Sequence, residues 1–290
     1  MEHTNNLTEK IFEMPHSLGI SRSAYNSLSQ LQYNVLHCDE TKVILDFRHT
    51  NYIDAIHMAF IGGLDSLCRI RNKRLIYRIN NQSKLYTYIQ RSGLYEYLVK
   101  PKHSYINKNA IPFSEIRMDE DSIINYINRI LNLAPINLSP SAEGYLFKNI
   151  YEIFSNSFDH SEAISGVYAC GHWMPQKKYL VFSVYDTGIG IPSLIKRKIN
   201  PCLSSEEALK WALETGNSTK QLTDGTPRGI GLSDLLEFVG INEGALYIQS
   251  NDVCYSYDNG FEQFTTLSKP IVGTIIGIKI VSDYEHIYNH

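Results

Sequence analysis

The sequence contains no uninterrupted apolar run of membrane-spanning length, which excludes a helical membrane span. It has no apolar signal core either: Met1 to Glu9 are polar, so secretion is not expected. Cysteine is sparse. The five residues Cys38, Cys68, Cys170, Cys202 and Cys254 are widely scattered with no paired spacing. That argues against a zinc site and a disulfide framework, and it fits a reducing cytoplasm. Strong charge of either sign is also missing. A net charge of −3 does not by itself call for a polyanionic partner, and no nucleic acid is expected. What remains is an ordinary globular composition, 43% hydrophobic and 20% charged, over 290 residues. This length holds one large or two medium domains.

Charge divides unevenly along the chain. Residues 1–140 carry 16 Lys and Arg against 13 Asp and Glu, and the remainder 11 against 17, so the halves stand at +3 and −6. The split favours two domains. One basic cluster, Arg69, Arg71, Lys73, Arg74 and Arg78, falls at the expected end of a helix, where cations complement the helix dipole; a phosphate-binding patch is the other reading.

The first half alternates strands and helices. Ile11 to Met14 reads as a short strand, Arg22 to Tyr33 as a helix, and Lys42 to Phe47 as a strand. From Ile53 to Ile70 the residues Ile56, Ala59, Phe60, Gly63, Leu64 and Leu67 recur at helical spacing. Arg74 to Ile79 reads as another strand, and Ser83 caps a helix that stops at Ser92 and Gly93. This order implies a small parallel α/β unit. Residues 100–118 read as loop, broken by Pro101 and Pro112. Asp119 to Leu133 then reads as a connecting helix.

Residues Lys42 to Leu98 resemble a STAS domain, the module of anti-sigma-factor antagonists. The resemblance is carried by Val43 to Asp46, Tyr52 to Asp54, Gly62-Gly63-Leu64, Lys73 to Ile76 and Gln90 to Leu94. The family's regulatory serine would follow Asp54, but Ala55 stands there. The resemblance therefore implies a scaffold or dimerisation role rather than a phosphorylation switch.

In the second half, Tyr179 to Tyr185 is almost wholly apolar or aromatic, as suits a strand covered on both faces, and it ends on Asp186. Gly188 and Gly190 follow, then Pro192. A carboxylate there could accept a hydrogen bond from an exocyclic amine, with the glycines admitting a flat ligand; an ordinary Asp-Thr-Gly turn is the plainer reading. Ser139 and Pro140 open a helix running to about His160. Phe147, Ile150, Tyr151, Phe154 and Phe158 form its apolar stripe, and Asn149, Glu152 and Asn156 fall opposite. Asn156 could hold Mg²⁺, and Glu152, one turn away, could take a proton from a water or hydroxyl attacking a γ-phosphate; a solvated polar face is the alternative. His160 and His172 read as core or surface histidines.

Taken in order, Glu152-x-x-x-Asn156, Asp186-x-Gly188-x-Gly190, Arg228-Gly229-Ile230-Gly231-Leu232 and Gly273-Thr274 resemble the N, G1, G2 and G3 boxes of the GHKL ATPases, over roughly residues 140–282. The resemblance implies ATP and Mg²⁺ as ligands. Asp186 would bind the adenine amine with Thr274 in support, Gly188 and Gly190 would line the pocket, and Asn156 would carry Mg²⁺. Glu152 would be the general base. Gly229 and Gly231, with Ile230 and Leu232, would present a helix N-terminus to the phosphates. The segment from Ser193 to Pro227 would be a lid, within which Ser218, Thr219 and Lys220 could reach phosphates. The expected architecture is α/β and α+β: a STAS-like α/β domain over 1–115, a connecting helix over 116–138, and a Bergerat-type α/β sandwich over 139–290. The latter would have a mixed, mostly antiparallel sheet with helices on one face. A histidine autokinase is not expected, since none of the ten histidines is followed by Asp. A gyrase-like or mismatch-repair enzyme would need a further transducing domain, and the sequence ends shortly after the last box. An anti-sigma-factor serine kinase type is the nearest expectation. Three outcomes stay open: ATP hydrolysis switching a protein interaction, phosphoryl transfer to Ser or Thr on a partner, and nucleotide-gated binding without chemistry. A protein partner is expected and a homodimer left open.

Overall fold

The computed structural model describes residues 9–99, 107–159, 165–217, 220–221, 227–228, 231–283 and 287–288. The first half contains β1 (Glu9–Glu13), the short β2 (Ser17–Leu18), α1 (Arg22–His37), β3 (Lys42–Asp46), the short β4 (Tyr52–Ile53), α2 (Ala55–Ile70), β5 (Arg74–Arg78), α3 (Lys84–Arg91) and α4 (Leu94–Val99). Strands β1, β3 and β5 form a parallel three-stranded sheet in that order. Ser21 starts α1 by accepting the Ala24 N–H, and Asp54 starts α2 by accepting the Ile56 N–H.

The second half begins with β6 (Ala110–Ile116), inside the stretch read from sequence as loop. Pro112 broke the pattern there, yet β6 is an edge strand whose register slips between Ile111 and Ser114, and both features tolerate a residue without an N–H. There follow α5 (Glu120–Leu133), the short β7 (Asn137–Leu138), α6 (Pro140–Asp159), β8 (Val167–Met174) and β9 (Tyr179–Asp186). Then come α7 (Ile191–Lys198), α8 (Ser205–Leu213), the short pair β10 (Lys220–Gln221) and β11 (Pro227–Arg228), and α9 (Gly231–Ile241). The long hairpin of β12 (Ala245–Asp258) and β13 (Phe261–Val281) precedes the short β14 (Ile287–Tyr288), which lies parallel to β7. Strands β12, β13, β9, β8 and β6 form one five-stranded sheet in which every pairing is antiparallel.

Helices cover both faces of this sheet, not one as the sequence suggested. Alternate residues of each strand turn to opposite sides. Leu180, Phe182, Val184, Leu246, Ile248, Ile276 and Ile278 join the core built with α5, α6, α8 and α9. Tyr168, Val181, Tyr185, Tyr247 and Ile275 join a core built with α1, α2 and the parallel sheet of the first half. Thus 13 of the 16 residues of α2 are buried, which explains why its composition is apolar nearly all round.

The contact between the halves is made close by missing side chains. A Cβ on Gly62 would lie 2.1 Å from the Phe113 ring, and one on Gly63 would lie 2.4 Å from the Tyr185 ring. Gly277, a weak point in a strand by itself, lets Ile56 of α2 settle on the sheet, since a Cβ there would lie 2.8 Å from it. The hydroxyl of Ser183 donates to the Ala55 carbonyl at 3.3 Å. Ala55, which follows the N-cap Asp54, is only 1% exposed. Among the described residues, no helix is long and apolar enough to cross a membrane. All five cysteines are unpaired.

The basic cluster is partly committed to internal contacts. Arg69 pairs with Asp65 and lies over the Tyr97 ring, and Lys73 reaches the Glu40 carbonyl at 3.0 Å. Arg78 and Arg48 share Asp46, whose carboxyl is held down at about 2, chiefly by hydrogen bonds from Arg48.

Candidate functional site

Asp186 ends β9 with its side chain on the face that carries α6, in register with Thr274 on β13 and Val167 on β8. It is 6% exposed. The Gly188 N–H donates to its Oδ1 at 2.9 Å. Burial pushes the carboxyl up to about 7, against the opposing pull of backbone donors at Gly188 and Thr274. Among the described residues no cation neutralises it, so a ligand that brings an N–H donor would gain a strong acceptor already stripped of water. Gly273, at φ +89°, makes the strand end fit: a Cβ there would stand 1.8 Å from the Asp186 carbonyl oxygen.

The loop after Asp186 is fastened to an irregularity in β12. Strand β12 runs through the polar stretch from Gln249 to Asp252, with register shifts on both sides of Asn251. Asn251 takes φ +50°, a region asparagine tolerates, and its side chain grips the loop. Its Nδ2 donates to the Ile189 carbonyl at 2.9 Å, and its Oδ1 accepts from the Ser193 N–H and hydroxyl, each at 3.0 Å. Ser250 Oγ accepts the Ile191 N–H at 2.8 Å and lies 2.8 Å from Thr274 Oγ1. Gly190 precedes α7 at φ +85°, where a Cβ would strike Asn251 Oδ1. Asp186, Gly188, Gly190 and Thr274 are therefore brought together, and Ser250 and Asn251 are structural members of the site that the sequence reading missed. The polar run from Gln249 to Asp252, inside an otherwise apolar strand, was the available signal.

Glu152 and Asn156 sit half-buried on α6, in the helical layer packed on the same face. The helix does not divide as expected. Ala142, Leu146, Ile150, Ile153 and Phe154 form its buried side, whereas Phe147, Tyr151 and Phe158 are only partly buried. Asn149, expected opposite the apolar stripe, is fully buried. Asn156 is seven positions on, so the two project from the same side two turns apart. The adjacent Tyr145 hydroxyl reaches the Asp234 carbonyl of α9 at 3.4 Å, and its ring meets Phe238. That places α6 alongside α9, which Gly231 opens and whose Leu232 packs against the second core.

Ser218, Thr219, Gly229 and Ile230, with His160, lie outside the described residues; Lys220 belongs to β10, opposite Arg228. The segment expected as a lid is helical over much of its length, and Leu209 and Leu213 of α8 anchor it in the core. His172 is half-buried, its imidazole pKa depressed by burial and by Arg91. Among the described residues no group of three or more His, Cys, Asp or Glu could hold a metal ion, and Asn156 is the one expected metal contact.

Behind the site, α1 touches the same strand ends. Gln32 Nε2 donates to the Tyr185 hydroxyl at 2.8 Å, and Gln32 Oε1 accepts the Val272 N–H at 2.6 Å. The Tyr185 hydroxyl donates in turn to the Val272 carbonyl at 2.8 Å. The residues next in chain, Asp186 and Gly273, belong to the site. No protein-family model and no curated protein sequence matches the chain.

Proposed function

We propose that the second half is a Bergerat-type, GHKL-like unit that binds Mg-ATP and hydrolyses it to switch a protein interaction, with the first half as a STAS-like partner unit. Asp186 carries this reading: a buried carboxylate at a strand end, held by backbone donors alone and flanked by a glycine that allows the neighbouring strand to close on it. Those residues suit the exocyclic amine of adenine. Asn156 would contribute an oxygen ligand to Mg²⁺, which when bound neutralises charge on the phosphate oxygens. Glu152 would accept the proton of the attacking water at its carboxylate. The N-terminus of α9 would receive the phosphates. Ala55, buried against the sheet, supports a first half that acts as scaffold rather than as substrate of its own neighbour.

The test is equilibrium binding of Mg-ATP to the full chain, followed by turnover. Asp186→Asn is expected to weaken ATP binding by at least about tenfold, roughly the 1.4 kcal/mol of one lost polar contact. Glu152→Gln is expected to keep binding and lose turnover by about 10²- to 10⁴-fold. Unchanged ATP affinity in Asp186→Asn would overturn the adenine assignment. Phosphate recovered on a partner protein instead of in solution would make the chain a serine or threonine kinase, and binding without turnover a nucleotide-gated module.

A further inference from the structure

The loop after Asp186 is held from two directions. On the β8 side, Thr187 Oγ1 accepts the Ser165 and Gly166 N–H groups at 2.9 and 3.3 Å. Farther on, among the described residues, every hydrogen bond that ties residues 189–193 to another element comes from Ser250 or Asn251 of β12.

Those two residues stand where the β12–β13 ladder breaks. Ser250 is in register with Thr274 and Asn251 with Ile271, so Val272 and Gly273 have no counterpart on β12. The break serves both sides of the site. On β13 it lets Gly273 turn to positive φ and close on the Asp186 carbonyl. On β12 it sets the Asn251 carboxamide against the loop.

Asn251 also finishes α7. That helix has no side-chain cap at its own N-cap, Gly190, and Pro192 brings no N–H. The remaining orphan donors of the first turn, the N–H groups of Ile191 and Ser193, are accepted by Ser250 Oγ and Asn251 Oδ1 from the neighbouring strand. Only a carboxamide can do this and also donate to the Ile189 carbonyl; a carboxylate would keep the acceptor and lose the donor. Gly190 fits the same account. A Cβ there would stand 2.7 Å from Asn251 Oδ1, so Asn251 requires this glycine whether or not a ligand lies beside it.

We propose that Asn251 is a positioning residue of the nucleotide site, fixing residues 189–193 in the receptive geometry before any nucleotide arrives. The proposal rests on the nucleotide reading of Asp186. A loop held in advance spares the ligand the cost of ordering it, so the effect belongs to affinity and not to the chemical step.

The test uses the full chain and Mg-ATP. Asn251→Gly, which keeps the positive φ and removes the clamp, should raise Kd and KM by about tenfold or more, the scale of ordering one further residue, with kcat within about threefold. Without nucleotide, its Ser193 amide should exchange at least about tenfold faster while the amides of β9 keep their protection. Gly190→Ala should weaken binding about tenfold in the parent and less than about threefold in Asn251→Gly, because the clamp it disturbs is already gone. If Asn251→Gly does not fold, Asn251→Asp should weaken binding while sparing the Ser193 amide. Unchanged affinity in Asn251→Gly, equal losses from Gly190→Ala in both backgrounds, or unchanged exchange at Ser193 would overturn the proposal and leave Asp186 standing. A parent chain that binds no Mg-ATP would overturn the nucleotide reading, and this proposal with it.

Discussion

At the scale of single residues, Asp186 sets stability against use. Its carboxyl stands near 7 in the folded chain against an ordinary 3.8, with burial as the main cause. The folded state therefore keeps a proton that the unfolded chain releases as pH rises from about 4 to about 7, so stability falls across that window. The full effect is on the order of 4 kcal/mol, since each tenfold change in proton affinity is worth about 1.4 kcal/mol. Asp186→Asn should flatten the dependence and raise stability at pH 8 while hardly changing it at pH 4. Thermal melts of both proteins at the two pH values check this; parallel curves would show that the carboxyl is not desolvated. Gln32 makes the second case. Gln32→Leu should cost about 1–3 kcal/mol in urea unfolding, because the Val272 N–H is left without its acceptor in a partly buried place. Asp186 was legible because a strand end followed by glycines is a local pattern. Gln32 was not, since its partner Tyr185 lies 153 positions away and nothing local marks the pair.

At the scale of elements, the sequence disclosed most helices and the buried strands but misread how they are covered. The apolar run of β9 did imply burial on both faces; what covers the second face, α1 and α2, belongs to the other half and could not be inferred from the strand alone. The distal part of β13, from Phe261 to Ser268, went unseen because it is polar and largely exposed. Asn259 and Gly260, both at positive φ, were the clue to that hairpin. The glycines of α2 looked like a family signature, and the structure gives them a local task. Gly63→Ala should destabilise by about 1–3 kcal/mol through overpacking against Tyr185. Gly144→Ala, in α6 with nothing within 4 Å of the added methyl, should stabilise by up to about 1 kcal/mol. If both changes behave alike in denaturant melts, close packing is not what fixes Gly63.

At the scale of the whole molecule, the first half covers one face of the five-stranded sheet of the second. Full-length protein should lose its tryptophan signal, from Trp173 on β8 and Trp211 on α8, at the same denaturant concentration as its helical circular dichroism. Two separated transitions would show that the first half unfolds on its own. A fragment beginning at residue 107 should be insoluble or molten, because the face bearing Tyr168, Val181, Tyr185 and Tyr247 would meet water. The charge split between the halves and the change of pattern near residue 100 suggested separability; composition records charge but not which surface is dry.

The bond from Ser183 to the start of α2 has an evolutionary side. The wall behind the cleft is the same material as the floor of the first half, so neither can be traded away by recombination without exposing the other. Any lineage that keeps one half must have found a new cover for that wall.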